Sequence, residues 1–466
     1  MSDRGAYTPF LMPAKKSSNE LTQGRAKRSL QVGSLATSIG GSYAWQALKQ
    51  PFQFGRDKGP ELLDLHLKNA LRIVESSREL RGAFMKLIQM LSMRSDLFPT
   101  EVLDILSVVQ SSIPPMDYDL IRTQVKNELG QDPERLFKRF EKKAFAAASL
   151  GQVHRAQLKS GEEVVVKVQY PGVAATVGQD LKNLKALLQV FTLILRDVLR
   201  QNFDATEIYQ EIEERLQEEV DYVNEAHNVA IFQRLFAADN EVIIPQVYPD
   251  FSSRRVLTLE FIDGYKLQDI LSPGVDRELK DWVAIKYFEI TWQQICSFGA
   301  LHTDPHPGNY LITYHPKIAM LDFGSVRFFP DDIREGYRRL AQAVLDRDEE
   351  TMARCFLQLG YLDPGDDPAP LVRIMYLVFE PVLEDREYDP QDFHSVDKAR
   401  EVTNISVQNR IFKVPGHRLF LVRALLGLES YVQQFSTVTN WHRIFRKCVQ
   451  AGEVKNAGRK SQKKRG

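Results

Sequence analysis

His302-Thr303-Asp304-Pro305-His306-Pro307-Gly308-Asn309 and, thirteen residues after Asn309, Asp322-Phe323-Gly324 decide the reading of this chain. Asp304 and Asn309 stand five positions apart, an acid and an amide in the pattern D-x-x-x-x-N. Phosphoryl transfer asks a protein mainly for positioning and charge neutralisation, so it needs oxygen ligands that hold Mg²⁺ against nucleotide phosphates. Asn309 and Asp322 fit that ligand role, and Asp304 would orient or deprotonate the nucleophile. An isolated Asp-Phe-Gly can be any turn. Two motifs in this order, beside the short apolar runs Tyr310-Leu311-Ile312 and Ile318-Ala319-Met320, are a far more specific signal. His302 and His306 also spell HxDxH, a string that can bind metal. No third His, Cys or uncommitted carboxylate lies close by, so zinc is disfavoured and His302 is expected to be a packed structural residue.

Upstream, the pattern changes from helical to β-rich near Phe145. Ala146-Ala147-Ala148-Ser149-Leu150-Gly151-Gln152-Val153-His154 precedes the turn Lys159-Ser160-Gly161 and the run Val164-Val165-Val166-Lys167-Val168, which predicts two strands, a hairpin and a third strand. Helical patterning follows from about Asp180 to Asn228. Val242-Ile243-Ile244 and Val256-Leu257-Thr258-Leu259-Glu260 then read as strands, and from Leu267 the chain is mostly helical. A β-rich lobe ahead of a helical lobe, with these motifs in the second, predicts an α+β, protein-kinase-like bilobal fold. Lys167 then becomes the strand lysine that pairs the α/β-phosphates, and it needs an acidic helix partner from Glu219-Val220-Asp221-Tyr222-Val223-Asn224-Glu225. Glu260-Phe261-Ile262 becomes the hinge whose backbone meets the adenine. His154 is open between a cleft-facing and a buried strand position.

Before the β-rich region, residues 61–135 read as a helical extension, with apolar positions at spacings of three and four such as Phe84, Leu87 and Leu91. Residues 1–60 are basic and rich in small residues. Gly33, Ala36, Gly40, Gly41 and Ala44 suit either a packed terminal helix or one beside anionic headgroups. The predicted lobes are 136–262 and 263–450, and 451–466 is expected to be a basic disordered tail.

Composition sets the outer bounds. The 466 residues are 43% hydrophobic and 26% charged, which excludes a disordered chain or a small disulfide scaffold. The 61 Lys+Arg balance 61 Asp+Glu, so no global field recruits nucleic acid. Three scattered cysteines point to a reducing compartment. The apolar run from Leu187 to Leu195 falls short of the ~20 residues that a bilayer crossing needs. The expected location is the cytoplasm, with peripheral contact to an inner membrane face, or an organelle matrix if the basic N-terminus is a transit peptide.

Together, Ala146 to Ala156 (AAASLGQVHRA), Lys167 with Tyr170-Pro171-Gly172, Glu219 to Asn228 (EVDYVNEAHN), HTDPHPGN and Asp322-Phe323-Gly324 resemble the UbiB/AarF atypical kinase-like family, associated with ubiquinone biosynthesis. The resemblance spans about Arg81 to Tyr431, and a weaker one touches the coenzyme Q branch. It implies ATP and Mg²⁺ as cofactors. The alanine-rich segment Ala146, Ala147, Ala148, Ser149, Gly151 and Gln152 would replace the glycine-rich phosphate loop. Glu225 would pair with Lys167, and Glu219 and Asp221 match the family's acidic pair. The family's KxGQ motif falls on Lys86-Leu87-Ile88-Gln89, on a helix implied to cover the site where a protein substrate would otherwise dock. Ile88 departs from the usual glycine, so Ile88→Gly is expected to change nucleotide affinity or turnover. The implied function is an ATP-binding, Mg-dependent kinase or ATPase supporting ubiquinone or isoprenoid lipid metabolism, with lipid or quinone-pathway enzymes and an anionic membrane surface as partners. The alternative is a nucleotide-gated scaffold without turnover.

Overall fold

The computed structural model describes residues 116–173 except 149, 220–409 except 305, 393 and 394, and 416–463, with single positions at 34, 38, 177, 181, 182, 185, 209, 213 and 217. The stretch 1–60 apart from positions 34 and 38, the Lys86-Leu87-Ile88-Gln89 motif, Ser149 and Glu219 lie outside the positions whose structure is described here. The chain divides into two compact units, Met1–Val223 with Tyr248–Glu260, and Asn224–Val247 with Phe261–Gly466. Both are built as a kinase-like α+β fold requires: a sheet-rich first unit and a helix-rich second one.

In the first unit, α1 (Tyr118–Leu129) ends at Gly130, whose φ of 80° is a left-handed conformation that a side chain would strain. The strands β1 (Arg139–Phe140), β2 (Ala146–Ala148), β3 (Gly151–Gln157), β4 (Glu163–Gln169) and β6 (Val256–Glu260) form an antiparallel sheet in the order β1-β3-β4-β6, with β2 also on β3. The valine run works by alternation: Val164, Val166 and Val168 are fully buried, which leaves Val165 and Lys167 on the opposite face. β5 (Val242–Ile243) is not part of this sheet.

Helix α2 (Tyr222–Leu235) leads into the second unit. There β7 (Tyr265–Lys266), β9 (Tyr310–Ile312) and β10 (Ile318–Met320) join β5 in the order β5-β10-β9-β7, and β8 (Ala300–His302) pairs with β11 (Val326–Phe328). Asn224–Val247, expected in the β-rich lobe, clusters here instead. Phe232 packs on Phe323 at 5.0 Å between ring centroids, and Lys286 reaches Asp239 at 2.8 Å.

Helix α3 (Arg277–Gln293) is N-capped by Asp276 and runs into a π turn, Gln294–Phe298, immediately before β8. Helices α4 (Asp331–Asp346), α5 (Glu349–Gln358), α6 (Ala369–Val378), α7 (Ser395–Gln408), α8 (Gly416–Phe435) and α9 (Trp441–Lys463) complete the unit. An aromatic core joins α3 to α9, with Trp292 on Phe445 at 4.4 Å and Phe288 on Trp441 at 5.1 Å. Of the tail expected to be disordered, residues 451–463 are instead the last part of α9, because the buried Trp441, Phe445, Cys448 and Val449 fix its first turns and extending a nucleated helix costs little; 464–466 lie outside the described residues. Among the described residues no helix is long and apolar enough to cross a membrane.

Candidate active site

Two small β pairings assemble the site in the second unit. Ile318 lies across from Ile312 and Met320 across from Tyr310, and the ladder extends one step further, with Leu321 N donating to Asn309 O at 2.9 Å. Asn309 enters this hairpin and Asp322 leaves it, so a two-strand register brings both to one end. The second pairing sets His302 opposite Val326, after which Thr303 N donates to Ser325 O at 2.9 Å. The segments before Asp304 and after Gly324 are thus tied together.

Within this frame the three predicted residues converge. Asn309 Nδ2 donates to the Asp304 backbone carbonyl at 3.2 Å and to Asp304 Oδ2 at 3.1 Å. With its nitrogen engaged there, Asn309 offers Oδ1 as a ligating atom. Asp322 Oδ1 accepts from Gly324 N at 2.9 Å, and His302 Nε2 is bonded to the Asp322 carbonyl. His302 is 4% exposed, the packed structural residue that its sequence context predicted.

His306 caps the Pro307–Asn309 turn, accepting from Gly308 N through Nδ1 at 3.0 Å. Beneath the loop, Tyr287 packs edge-on against Tyr310 at 5.0 Å and Tyr431 at 5.4 Å. Burial raises the pKa of all three phenols, and the charge of Asp304 raises them further, so they stay protonated.

The donor set suits Mg²⁺: one carboxylate and one amide carbonyl, both hard oxygens. Among the described residues no group of three or more His, Cys, Asp or Glu is placed to hold a metal. A cation at Asn309 and Asp322 would therefore complete its shell with phosphate oxygens and water, the usual state of Mg²⁺ on a nucleotide.

The first unit arranges its candidates on β2, β3 and β4. Ala146 pairs with Val153, Val153 with Lys167, and Lys167 with Leu257, so Ala146 and Lys167 share a sheet face. Ala148 lies on that face too, and Ala147 on the other. Ala146 and Ala147 are exposed. The Lys167 ammonium lies 5.1 Å from the centre of the Tyr222 ring, a cation–π contact. Gly151 is required by the approach of β4, since a Cβ there would stand 2.2 Å from Val168 O.

Several candidates have other work. Gln152 is 1% exposed; its Oε1 accepts from Met116 N at 2.8 Å and its Nε2 contacts His154 Nε2 at 2.9 Å, so its side chain is a structural link rather than a phosphate ligand. His154 is fully buried, which decides for the strand reading. Asp221 Oδ1 accepts from Val223 N at 3.1 Å, a capping contact at the start of α2, and Oδ2 lies 3.4 Å from Arg254. Glu260 is exposed at the end of β6, and Ile262 is half-buried just beyond it. Lys167 belongs to the first unit, whereas Glu225, 2% exposed, belongs to the second. Sequence reasoning assigned no role to Asn228, although its side chain bonds Phe323 O at 2.9 Å. Its place in EVDYVNEAHN, one turn after Glu225, was the available signal.

The ABC1 atypical kinase-like domain matches residues 108–356, a span that holds every one of these elements from α1 to α4 and most of α5. The chain belongs to this family. Among its relatives, the protein named Activity of BC1 complex kinase 7, chloroplastic, of Arabidopsis thaliana is 34% identical over 76% of this chain and 50% of its own length. Activity of BC1 complex kinase 3, chloroplastic, from the same plant is 33% identical over 92% of this chain and 58% of its own. The chain thus spans about half the length of the curated relatives it matches. Among solved structures, Rv3197 of Mycobacterium tuberculosis, in a complex with erythromycin, superposes with a TM-score of 0.60 at 22% identity, covering 85% of this chain and 99% of that one. That likeness shows the fold. The ABC1 kinases and the sequence-level UbiB/AarF resemblance describe one family, as relatives named aarF domain-containing kinases make plain.

Proposed function

We propose that the protein is an ATP-binding, Mg²⁺-dependent atypical kinase or ATPase that acts on a small or lipid substrate in quinone or isoprenoid lipid metabolism. The observation that carries this reading is the convergence of Asp304, Asn309 and Asp322 on one loop frame, with Asn309 bonded to Asp304 at 3.1 Å. Asn309 Oδ1 and Asp322 would hold the cation, which when bound neutralises phosphate charge. Asp304 would accept the proton of the attacking hydroxyl or water, and Asn309 Nδ2 fixes the direction of that carboxylate. Lys167 would meet the α/β-phosphates.

A short activation segment supports a non-protein acceptor. Ser325 leads straight into β11, which pairs back onto β8, and α4 begins at Asp331. That leaves little chain on which a peptide could lie. Relatives named chloroplastic support an organelle as the location, and contact with an anionic membrane through the basic N-terminal stretch belongs to the same proposal. The alanine strand β2, where ordinary kinases carry glycine, favours one alternative: a nucleotide-gated scaffold without turnover.

Phosphate release from Mg·ATP, with and without anionic liposomes, separates the two. Turnover that vanishes in Asp322→Asn and Lys167→Ala establishes the enzyme. A nucleotide-dependent thermal shift without phosphate release establishes the scaffold.

A further inference from the structure

One face of α2 meets the metal loop residue by residue. Glu225, Asn228 and Phe232 recur at the spacing of one helix side, and all three are buried. A Cβ placed on Gly324 would stand 3.8 Å from Glu225 Oε2. Asn228 Nδ2 donates to the Phe323 carbonyl at 2.9 Å. The rings of Phe232 and Phe323 lie 5.0 Å apart.

From the other side His302 holds the preceding carbonyl, that of Asp322. Two successive peptide planes after the metal-binding carboxylate are therefore fixed by side chains from two different elements. The far end of α2 is fastened as well. Asp239, four residues beyond it, and Glu241 bond Lys286 Nζ at 2.8 and 2.9 Å.

We infer that Asn228 is a positioning residue for Asp322: its amide fixes the Phe323 carbonyl, and so the direction in which the Asp322 carboxylate faces a divalent cation. Helix α2 then serves the second unit as a fixed brace. The inference rests on the reading of Asp322 as a metal ligand, and the experiment tests the two separately. A merely structural amide would affect stability alone, whereas outer partners of metal ligands typically change metal affinity by about 10- to 100-fold.

The test is Mn²⁺ binding to the full chain, followed by electron paramagnetic resonance with a non-hydrolysable ATP analogue present, beside the Mg²⁺ dependence of phosphate release. Asn228→Leu, which has no donor for the carbonyl, and the isosteric Asn228→Asp, whose ionised carboxylate has none either, are expected to weaken Mn²⁺ binding about tenfold. They should raise half-saturating Mg²⁺ by a similar factor while the KM for ATP at saturating Mg²⁺ holds. Phe232→Leu, which trims the ring contact and keeps the amide, is expected to lower the Tm and leave Mn²⁺ affinity unchanged. Wild-type Mn²⁺ affinity in whichever Asn228 variant folds, or a loss that Phe232→Leu reproduces, would overturn the inference while Asp322→Asn still loses the metal. Full Mn²⁺ affinity in Asp322→Asn would overturn the metal reading itself, and this inference with it.

Discussion

Residue by residue, the tightest constraints fall on small groups beside the site. Gly151→Ala would put a Cβ 2.2 Å from Val168 O, a backbone atom that cannot move without parting β3 from β4. A loss of about 2 kcal/mol is expected, read as a lower urea midpoint at constant m. Gly308→Ala would set its Cβ 2.9 Å from His306 Nδ1, displacing the imidazole from its cap, so turnover should fall while Tm changes little. His154 carries a pH dependence. Gln152 Nε2 can only donate, so His154 Nε2 accepts and Nδ1–H donates to the Glu141 carbonyl at 2.7 Å, which uses both nitrogens of the neutral ring. Burial lowers its pKa below the ordinary 6.5, partly offset by the Glu141 carbonyl. The unfolded chain therefore binds more protons just below pH 6.5, and stability that is complete above that value declines as the pH falls. Urea midpoints at pH 7.5 and 5.5 should diverge more in the wild type than in His154→Gln. None of these contacts was legible in the sequence, because each depends on a partner across a strand or turn.

Among the elements, the buried Lys286 cluster is one lock. Its ammonium side chain, 7% exposed, meets Asp239 at 2.8 Å and Glu241 at 2.9 Å, joining α3 to the segment after α2. Burial opposes its charge and the two carboxylate hydrogen bonds outweigh it, so its pKa is raised. Lys286→Met would leave two carboxylates facing each other without their cation, and a loss of about 3 kcal/mol is expected in urea unfolding. The sequence showed which runs were strands where alternation or β-branching was strong, as in β3, β4, β6, β9 and β10. It did not show β1, β7, β8 or β11, since these two- and three-residue strands each carry a polar or charged residue and lack the wholly apolar run that marked β9 and β10, so they exist only through their partners. Asp221, one of the acidic pair that the resemblance implies, also caps a helix, a role that depends on where α2 begins.

At the scale of the whole molecule, the short segment from Ser325 to Pro330 argues for a small acceptor. Purified protein should release phosphate from Mg·ATP without labelling added peptides at the ~1–100 s⁻¹ typical of protein kinases, and radiolabel transfer at such rates would refute this. The sequence by itself determined the family and the kinase-like fold, and it singled out Asp304, Asn309, Asp322 and Lys167 as candidates, because D-x-x-x-x-N and Asp-Phe-Gly are patterns that the chemistry of a cation and a phosphate would constrain. Those constraints act on residue type and spacing, which a sequence displays. Only the tertiary structure decided that Asn224–Val247 joins the second unit, that Gln152 turns inward and that Asn228 bonds the Phe323 carbonyl. Each of these is settled by burial and by hydrogen-bond partners far away in the chain, Asn228 and Phe323 being 95 residues apart, and no local pattern encodes such a pairing.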